Sequence, residues 1–187
     1  MTEKTMKERL LAGESYRFEG DELAADFQRS SQLLQQYNAT LPAQARERAR
    51  LLSELLAAVG TDVDIRPPFH MDLGFRTHIG DRVFINFGAV LEDIAEIRIE
   101  DDVLIGPGVR VLTPTHPVNP DLRRQKWESA EPITIGRNAW IGGAAVILPG
   151  VTIGENSVIG AGAVVVKDIP AHTVAVGNPA RPIRDIP

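Results

Sequence analysis

An aliphatic residue returns every six positions through most of this 187-residue chain, and that period limits the fold more than any other feature. From Ile135 the steps land on Ile141, Ile147, Ile153, Ile159, Val165 and Ala171, and all but the last of the series are β-branched. Glycine follows directly at 136, 142, 154 and 160. Four residues after the successive β-branched positions come Ala139, Ala145, Val151, Ser157, Ala163 and Ile169, mostly small side chains. The same period runs through Ile79, Ile85, Leu91 and Ile97, then through Ile99, Ile105 and Val111, with a two-residue slip between Ile97 and Ile99. Val111 and Ile135 are 24 residues apart, four whole periods, so the frame survives the interruption between them.

A helix repeats near 3.6 residues and a strand every two, so a period of six belongs to neither alone. It fits a coil of three short strands in which each turn of six sends one aliphatic residue inward and small residues occupy the bends. Stacked coils form a prism held by parallel ladders about 4.8 Å apart. The competing reading is an ordinary antiparallel β protein with regular turns. The repeat resembles that of the left-handed parallel β-helix family, an exception to the right-handed crossover rule. The hand is implied by that resemblance, because the period itself carries none.

Residues 1–60 have a different pattern. Leu23, Phe27, Leu34 and Tyr37 follow helical spacing, as do Ala45, Ala49, Leu52, Leu56 and Val59. Asn38 and Pro42 separate the two segments, and Gly60 is expected to end the second. The expected fold class is therefore all-β: a left-handed parallel β-helix over 61–187 with a small N-terminal α-helical cap over 1–60 that covers an open sheet edge. Residues 117–132, rich in proline and charge, are too irregular for the prism and form an extruded loop. Trp127 within that loop is expected to dock elsewhere, on a neighbouring subunit.

Composition removes several function classes. There are no cysteines, so disulfides, thiolate metal sites and a cysteine nucleophile are all excluded. A formal net charge of −5 argues against a general nucleic-acid surface. No apolar run reaches the roughly 18 residues needed to cross a bilayer, and the polar start Met1-Thr2-Glu3-Lys4-Thr5 lacks a signal-peptide pattern. The cytoplasm is the expected location.

His116, in Thr113-Pro114-Thr115-His116-Pro117, closes a strand pattern and opens the loop. An imidazole is the side chain suited to taking a hydroxyl proton near neutral pH. Three segments resemble the maltose and galactoside acetyltransferase branch of the hexapeptide acyltransferases: Thr115-His116-Pro117, Asn138-Ala139-Trp140-Ile141-Gly142-Gly143 and Gly177-Asn178-Pro179-Ala180-Arg181. The resemblance runs from the leader Leu11-Ala12-Gly13-Glu14-Ser15-Tyr16 to Ile186.

It implies an acetyl-CoA-dependent O-acetyltransferase that needs no metal and works on a sugar-like hydroxyl. His116 matches the catalytic base, and Asn86 and Asp93 match positions lining the acceptor pocket. Gly143 and Ala161 match positions whose backbone meets the acetyl-pantetheine arm, where an N–H can hold an oxyanion. Val166, Lys167, Arg181 and Arg184 match the region that holds the distal end of the coenzyme. Trp140 is a candidate for the acyl tunnel or a packing residue at a prism corner. Galactoside-type enzymes carry other residues at Phe18, Asp72 and Phe84; Tyr16-Arg17 and Asp72 bring this chain closer to the maltose type, and Arg17 and Asp72 join the substrate candidates. A homotrimer with each site between two subunits is the assembly expected from the family.

Three rivals are weaker. A γ-class carbonic anhydrase would need a second histidine five residues beyond His116, where Asp121 stands. A non-catalytic β-helix scaffold leaves His116 and the basic C-terminal residues unexplained. Serine and amino-sugar acetyltransferases of the same fold lack the helical leader.

Overall fold

The computed structural model describes residues 3–187, so Met1 and Thr2 of the polar start lie outside the described residues. Three parallel sheets form the faces of a left-handed prism. Face I contains Ala58–Val59, Thr77–Ile79, Ile97–Ile99, Ile133–Ile135 and Thr152–Ile153. Face II contains Asp64–Ile65, Phe84–Ile85, Leu104–Ile105, Trp140–Ile141, Val158–Ile159 and Thr173–Val176, closed by the antiparallel strand Arg181–Asp185. Face III contains His70–Met71, Val90–Glu92, Arg110–Leu112, Val146–Ile147 and Val164–Val165.

The six-residue aliphatic row is the interior. Ile65, Ile85, Ile141 and Ile159 are 0% exposed and stack up the inside of face II. Each such side chain contributes roughly 1.5–3 kcal/mol on burial. The small residues sit where one coil lies against the next: a Cβ on Gly106 would stand 2.6 Å from Gly143 N, and one on Gly142 2.5 Å from Ala161 N. No larger residue fits those bends without parting the coils.

Coil length varies, and the variation is local. On face II, Asp64 pairs with Phe84 and Phe84 with Leu104, steps of 20 residues, whereas Trp140 pairs with Val158, a step of 18. The two extra residues of the early coils lie on the edge between faces III and I, in 72–76 and 93–96. This is the two-residue slip of the sequence: Ile97 and Ile99 both point inward from a three-residue strand. The final coil is shorter instead, with Ile153 bridging Ile169 and Val158 pairing Val174. Ala171, the last step of the sequence series, is therefore exposed, and Ile169 and Ala175 take the interior positions.

Helices α1 (Met6–Leu11), α2 (Asp21–Asn38) and α3 (Ala45–Leu55) precede the prism. Thr5 and Glu8 form a capping box at the start of α1. α3 stops before Gly60: Leu56 is extended, and Ala57 N–H already bonds Thr77 O at 3.1 Å. Gly60 is instead a prism bend, where a Cβ would stand 2.5 Å from Gly80 C. The inner row of α3 is Leu51, Leu52 and Leu55, while Ala45, Ala49 and, on α2, Phe27 face outward.

The helices cover the first coil through side chains that act as a missing strand. Asn38 donates to Phe69 O at 2.8 Å and accepts from Phe69 N–H at 3.1 Å. Tyr37 OH donates to Ile65 O at 2.7 Å.

Residues 117–132 are an ordered extension, not an irregular loop. A short helix α4 (Pro120–Arg124), capped by Asn119, leads into the strand Trp127–Ala130. That strand pairs antiparallel with Pro114–Thr115 on one side and with Tyr16–Arg17 of the leader on the other. Trp127 docks within its own chain, its ring centroid 5.3 Å from Arg17 Cζ and 5.5 Å from Arg9 Cζ. The leader supplies the surface that the sequence reading assigned to a neighbouring subunit.

Candidate active site

The edge between faces III and I departs most from the regular coil, because it holds both the inserted pairs of residues and the hairpin that carries His116. Of the six buried polar side chains among the described residues, Thr77, Asp93 and Thr113 lie here. Inserted residues lose the ladder bonds of the strands, and buried side chains replace them.

Asp93 shows this directly. Its Oδ1 accepts from Leu73 N–H at 2.8 Å and its Oδ2 from Thr77 OH at 3.0 Å, and the residue is 0% exposed. Burial pushes its carboxyl up, against the lowering effect of those hydrogen bonds. Asp93 is expected to line the acceptor pocket; within the chain it has no exposed surface, and its oxygens serve Leu73 N–H and Thr77 OH of the neighbouring coil.

Asp72 stands on the same edge and is only part-buried. Burial, then the charges of Glu92, Asp93 and Glu128, raise its carboxyl to about 7. Glu128, on the hairpin, accepts from Tyr16 OH at 2.8 Å. Burial and this bond push the Tyr16 phenol up. Arg17 pairs with Glu19, Nη2 to Oε1 at 2.6 Å, and its guanidinium lies against Trp127. His116 follows Thr115 and is exposed, with no hydrogen-bond or ion-pair partner among the described residues. Continuing the Pro114–Ala130 and Thr115–Ser129 register by one residue sets it opposite Glu128.

A second group of expected residues lies on the edge between faces II and III. Asn86, the bend at 106–108, Gly143 and Ala161 follow one another up this edge. Asn86 Oδ1 accepts from Phe87 N–H at 2.9 Å, leaving the carboxamide Nδ2 without an acceptor among the described residues. Pro107 has no N–H at the matching position one coil later. The N–H groups of Gly143 and Ala161 donate to no group among the described residues. The edge is bare: nothing lies within 4 Å of where a Cβ would stand on Gly108 or Gly162.

Arg181 caps this edge, since Gly177 and Ala180 bond the backbone of Val164 at 3.0 and 2.8 Å. Arg184, paired with Val174, lies further across face II, and Trp140 stands on the outside of that face, 53% exposed between Leu104 and Val158. Val166 and Lys167 are exposed on the other edge, just past face III. The basic residues thus ring the last coil instead of forming one cluster.

Most of the expected residues therefore sort onto two edges of the prism, with Trp140 and Arg184 on face II and Arg17 on the leader strand. Asp72, Asp93, His116, Val166 and Lys167 share one; Asn86, Gly143, Ala161 and Arg181 share the other. Face III separates them by one six-residue period of chain, at most about 20 Å. Sequence reasoning missed Glu92, Glu128 and Tyr16 OH as members of the first group. The signal for Glu128 was the short strand-like run from Trp127 to Ala130, hidden within a polar segment.

Among the described residues, no group of three or more His, Asp or Glu side chains is arranged to hold a metal ion. No described helix is long and apolar enough to cross a membrane.

Known proteins agree with this architecture. Residues 9–60 match the maltose acetyltransferase hexapeptide capping motif, and residues 132–167 match the bacterial transferase hexapeptide with its six repeats. Nodulation protein L of Rhizobium leguminosarum bv. viciae is 48% identical over 178 residues, covering 95% of this chain and 94% of that protein. The crystal structure of a maltose O-acetyltransferase from Clostridium difficile 630 superimposes with a TM-score of 0.96 at 38% identity, covering 98% of each chain. A galactoside acetyltransferase in complex with coenzyme A superimposes with a TM-score of 0.94 at 40% identity, covering 99% of this chain and 92% of that one. The helical cap, the left-handed coil and these relatives agree: the chain belongs to the maltose and galactoside O-acetyltransferase family of hexapeptide-repeat transferases.

Proposed function

We propose that this chain moves the acetyl group of acetyl-CoA to a hydroxyl of a maltose-, glucose- or galactoside-like sugar, with His116 as general base, as a cytoplasmic homotrimer. The helices α1 to α3 serve as its cap, and the prism that begins at Ala58 serves as its transferase domain. The observation that carries the reading is an exposed, unpaired imidazole on an ordered hairpin whose Glu128 acts on the carboxyl of Asp72. Acetyl-CoA supplies a thioester carbonyl open to attack by oxygen. His116 takes the proton of the acceptor hydroxyl as its oxygen attacks, then returns that proton to the departing sulfur. The products are the sugar ester and the free thiol. With no cysteine in the chain, no acyl-enzyme on sulfur intervenes.

Gly143 N–H or Ala161 N–H donates to the oxygen that gains charge. Asn86 Nδ2 and Asp72 orient the sugar, and Trp140 flanks the arm. Lys167, Arg181 and Arg184 meet the coenzyme's phosphates, with Val166 beside them. The separation of the two edges supports a site assembled from two subunits, one giving His116 and its neighbours, the other Asn86, Gly143 and Ala161.

The test is His116→Ala, assayed by thiol release across a panel of sugars. Turnover should fall on the order of a hundred- to ten-thousand-fold, while the dissociation constant for acetyl-CoA stays within about twofold of the parent, because no phosphate contact is lost. Turnover within threefold of the parent sinks the mechanism.

A further inference from the structure

The hairpin that presents His116 is joined to the prism at its root, and the chemistry of that joint is specific. Thr113 is 0% exposed and immediately precedes the strand Pro114–Thr115. Its hydroxyl donates to Glu92 O at 2.6 Å and accepts from Ala95 N–H at 2.9 Å. Its own N–H reaches Glu92 O at 3.2 Å, and its carbonyl accepts from Glu131 N–H at 3.0 Å, which closes the hairpin across its base.

Glu92 and Ala95 flank Asp93, whose carboxylate bonds Leu73 N–H and Thr77 OH. Two sets of hydrogen bonds, joined through the 92–95 backbone, therefore link the hairpin root to the corner of the preceding coil and through it to the corner bearing Asp72. Only a side chain that donates and accepts at once can occupy this joint. Valine matches threonine in shape but supplies neither function.

We propose that Thr113 is the positioning residue of the active site: its hydroxyl fixes the root of the 114–130 hairpin against the Glu92–Ala95 corner and so sets where His116 stands relative to Asp72. This rests on the reading of His116 as the base. A base must sit within hydrogen-bond reach of the hydroxyl it deprotonates, and a shift near 1 Å can lower a rate by about a hundredfold. Thr113 touches no substrate, so its loss acts on the chemical step and not on coenzyme binding.

The experiment compares Thr113→Val and Thr113→Ser with the parent and with His116→Ala. It measures kcat, KM for acetyl-CoA, melting temperature and amide hydrogen exchange over residues 114–130. Thr113→Val should lower kcat by about tenfold or more with KM for acetyl-CoA within twofold. Exchange in 114–130 should quicken while the face II core stays protected. Thr113→Ser, which keeps the hydroxyl, should recover most of the rate. A parent-like kcat in Thr113→Val overturns the proposal, as does a lowered kcat with unchanged exchange in the hairpin. If Thr113→Val does not fold, Thr113→Ala carries the same expectations, and failure of both to fold overturns the positioning role in favour of a purely structural one. A parent-like rate in His116→Ala overturns the base itself. A slow His116→Ala beside a parent-like Thr113→Val overturns only the positioning.

Discussion

Tyr16 and Glu128 are joined by a 2.8 Å hydrogen bond across 112 residues of sequence, and this bond fastens the N-terminal leader to the hairpin that carries His116. The phenol is buried and the carboxylate part-buried, so the bond is sheltered from water. Tyr16→Phe should reduce stability by about 1–2 kcal/mol, since Glu128 loses its donor without regaining full hydration. It should also raise KM for the sugar while KM for acetyl-CoA holds. Chemical denaturation and steady-state kinetics on one preparation check both; an unchanged denaturation midpoint contradicts the first.

Asp72 makes stability depend on pH in an unusual direction for a carboxylate. Its ordinary value is 3.8, and burial followed by the charges of Glu92, Asp93 and Glu128 raises it to about 7 in the fold. A raised value means that the folded protein prefers the protonated form. The stabilising contribution is complete below pH 3.8 and is lost as the pH rises through about 7. Allowing for the part of Asp72 that remains in water, the loss is on the order of 1–2 kcal/mol. Asp72→Asn should therefore be more stable than the parent at pH 8, with the difference shrinking towards pH 5. Melting curves at the two pH values decide, and a gain that grows on acidification refutes the sign.

Mixing variants tests whether the two edges come from different subunits. His116→Ala and Asn86→Ala, each nearly inactive alone, are unfolded together in equal amounts and refolded. In a trimer whose sites each take His116 from one subunit and Asn86 from the next, about a quarter of sites regain both residues by random assortment. Recovered turnover near that fraction is expected. Activity no higher than the two variants apart places both residues in one subunit, and light scattering of a stable monomer removes the assembly altogether.

Asn38 is the clearest test of the cap as a substitute strand. Its carboxamide both donates to and accepts from the backbone of Phe69. Asn38→Ala leaves a part-buried N–H and carbonyl of the first coil unpaired and should cost about 1–3 kcal/mol. Hydrogen exchange at Phe69 should quicken while Ile141 and Ile159, deep in the prism, remain protected. Equal loss of protection along the whole prism speaks against a local cap.

The coil was legible because its cause is local and repeated. One inward aliphatic per turn and a small residue at each bend can be read from Ile135 to Val165 without any knowledge of contacts. Ala171 shows where that reading failed. It keeps the period, but the 166–168 corner is two residues shorter, and the pairing of Ile153 with Ile169 governs the frame. The slip at Ile97 and Ile99 was visible in the sequence, yet its meaning, a corner rebuilt around a buried Asp93, was not.

Sequence alone determined the six-residue coil, the helical leader and the presence of His116 at a strand end. Those follow from side-chain volume, β-branching and spacing along the chain. Tertiary structure decided which edge each candidate occupies, because the edge depends on how many residues each corner consumes and on ladder register between coils. It also decided that Asp93 is buried and that Trp127 packs on Arg9 and Arg17 of its own chain. A segment carries its own periodicity, whereas burial and hydrogen-bond satisfaction belong to partners brought together only when the coils stack. Tyr16 has no local reason to meet Glu128; the closed three-stranded sheet supplies it.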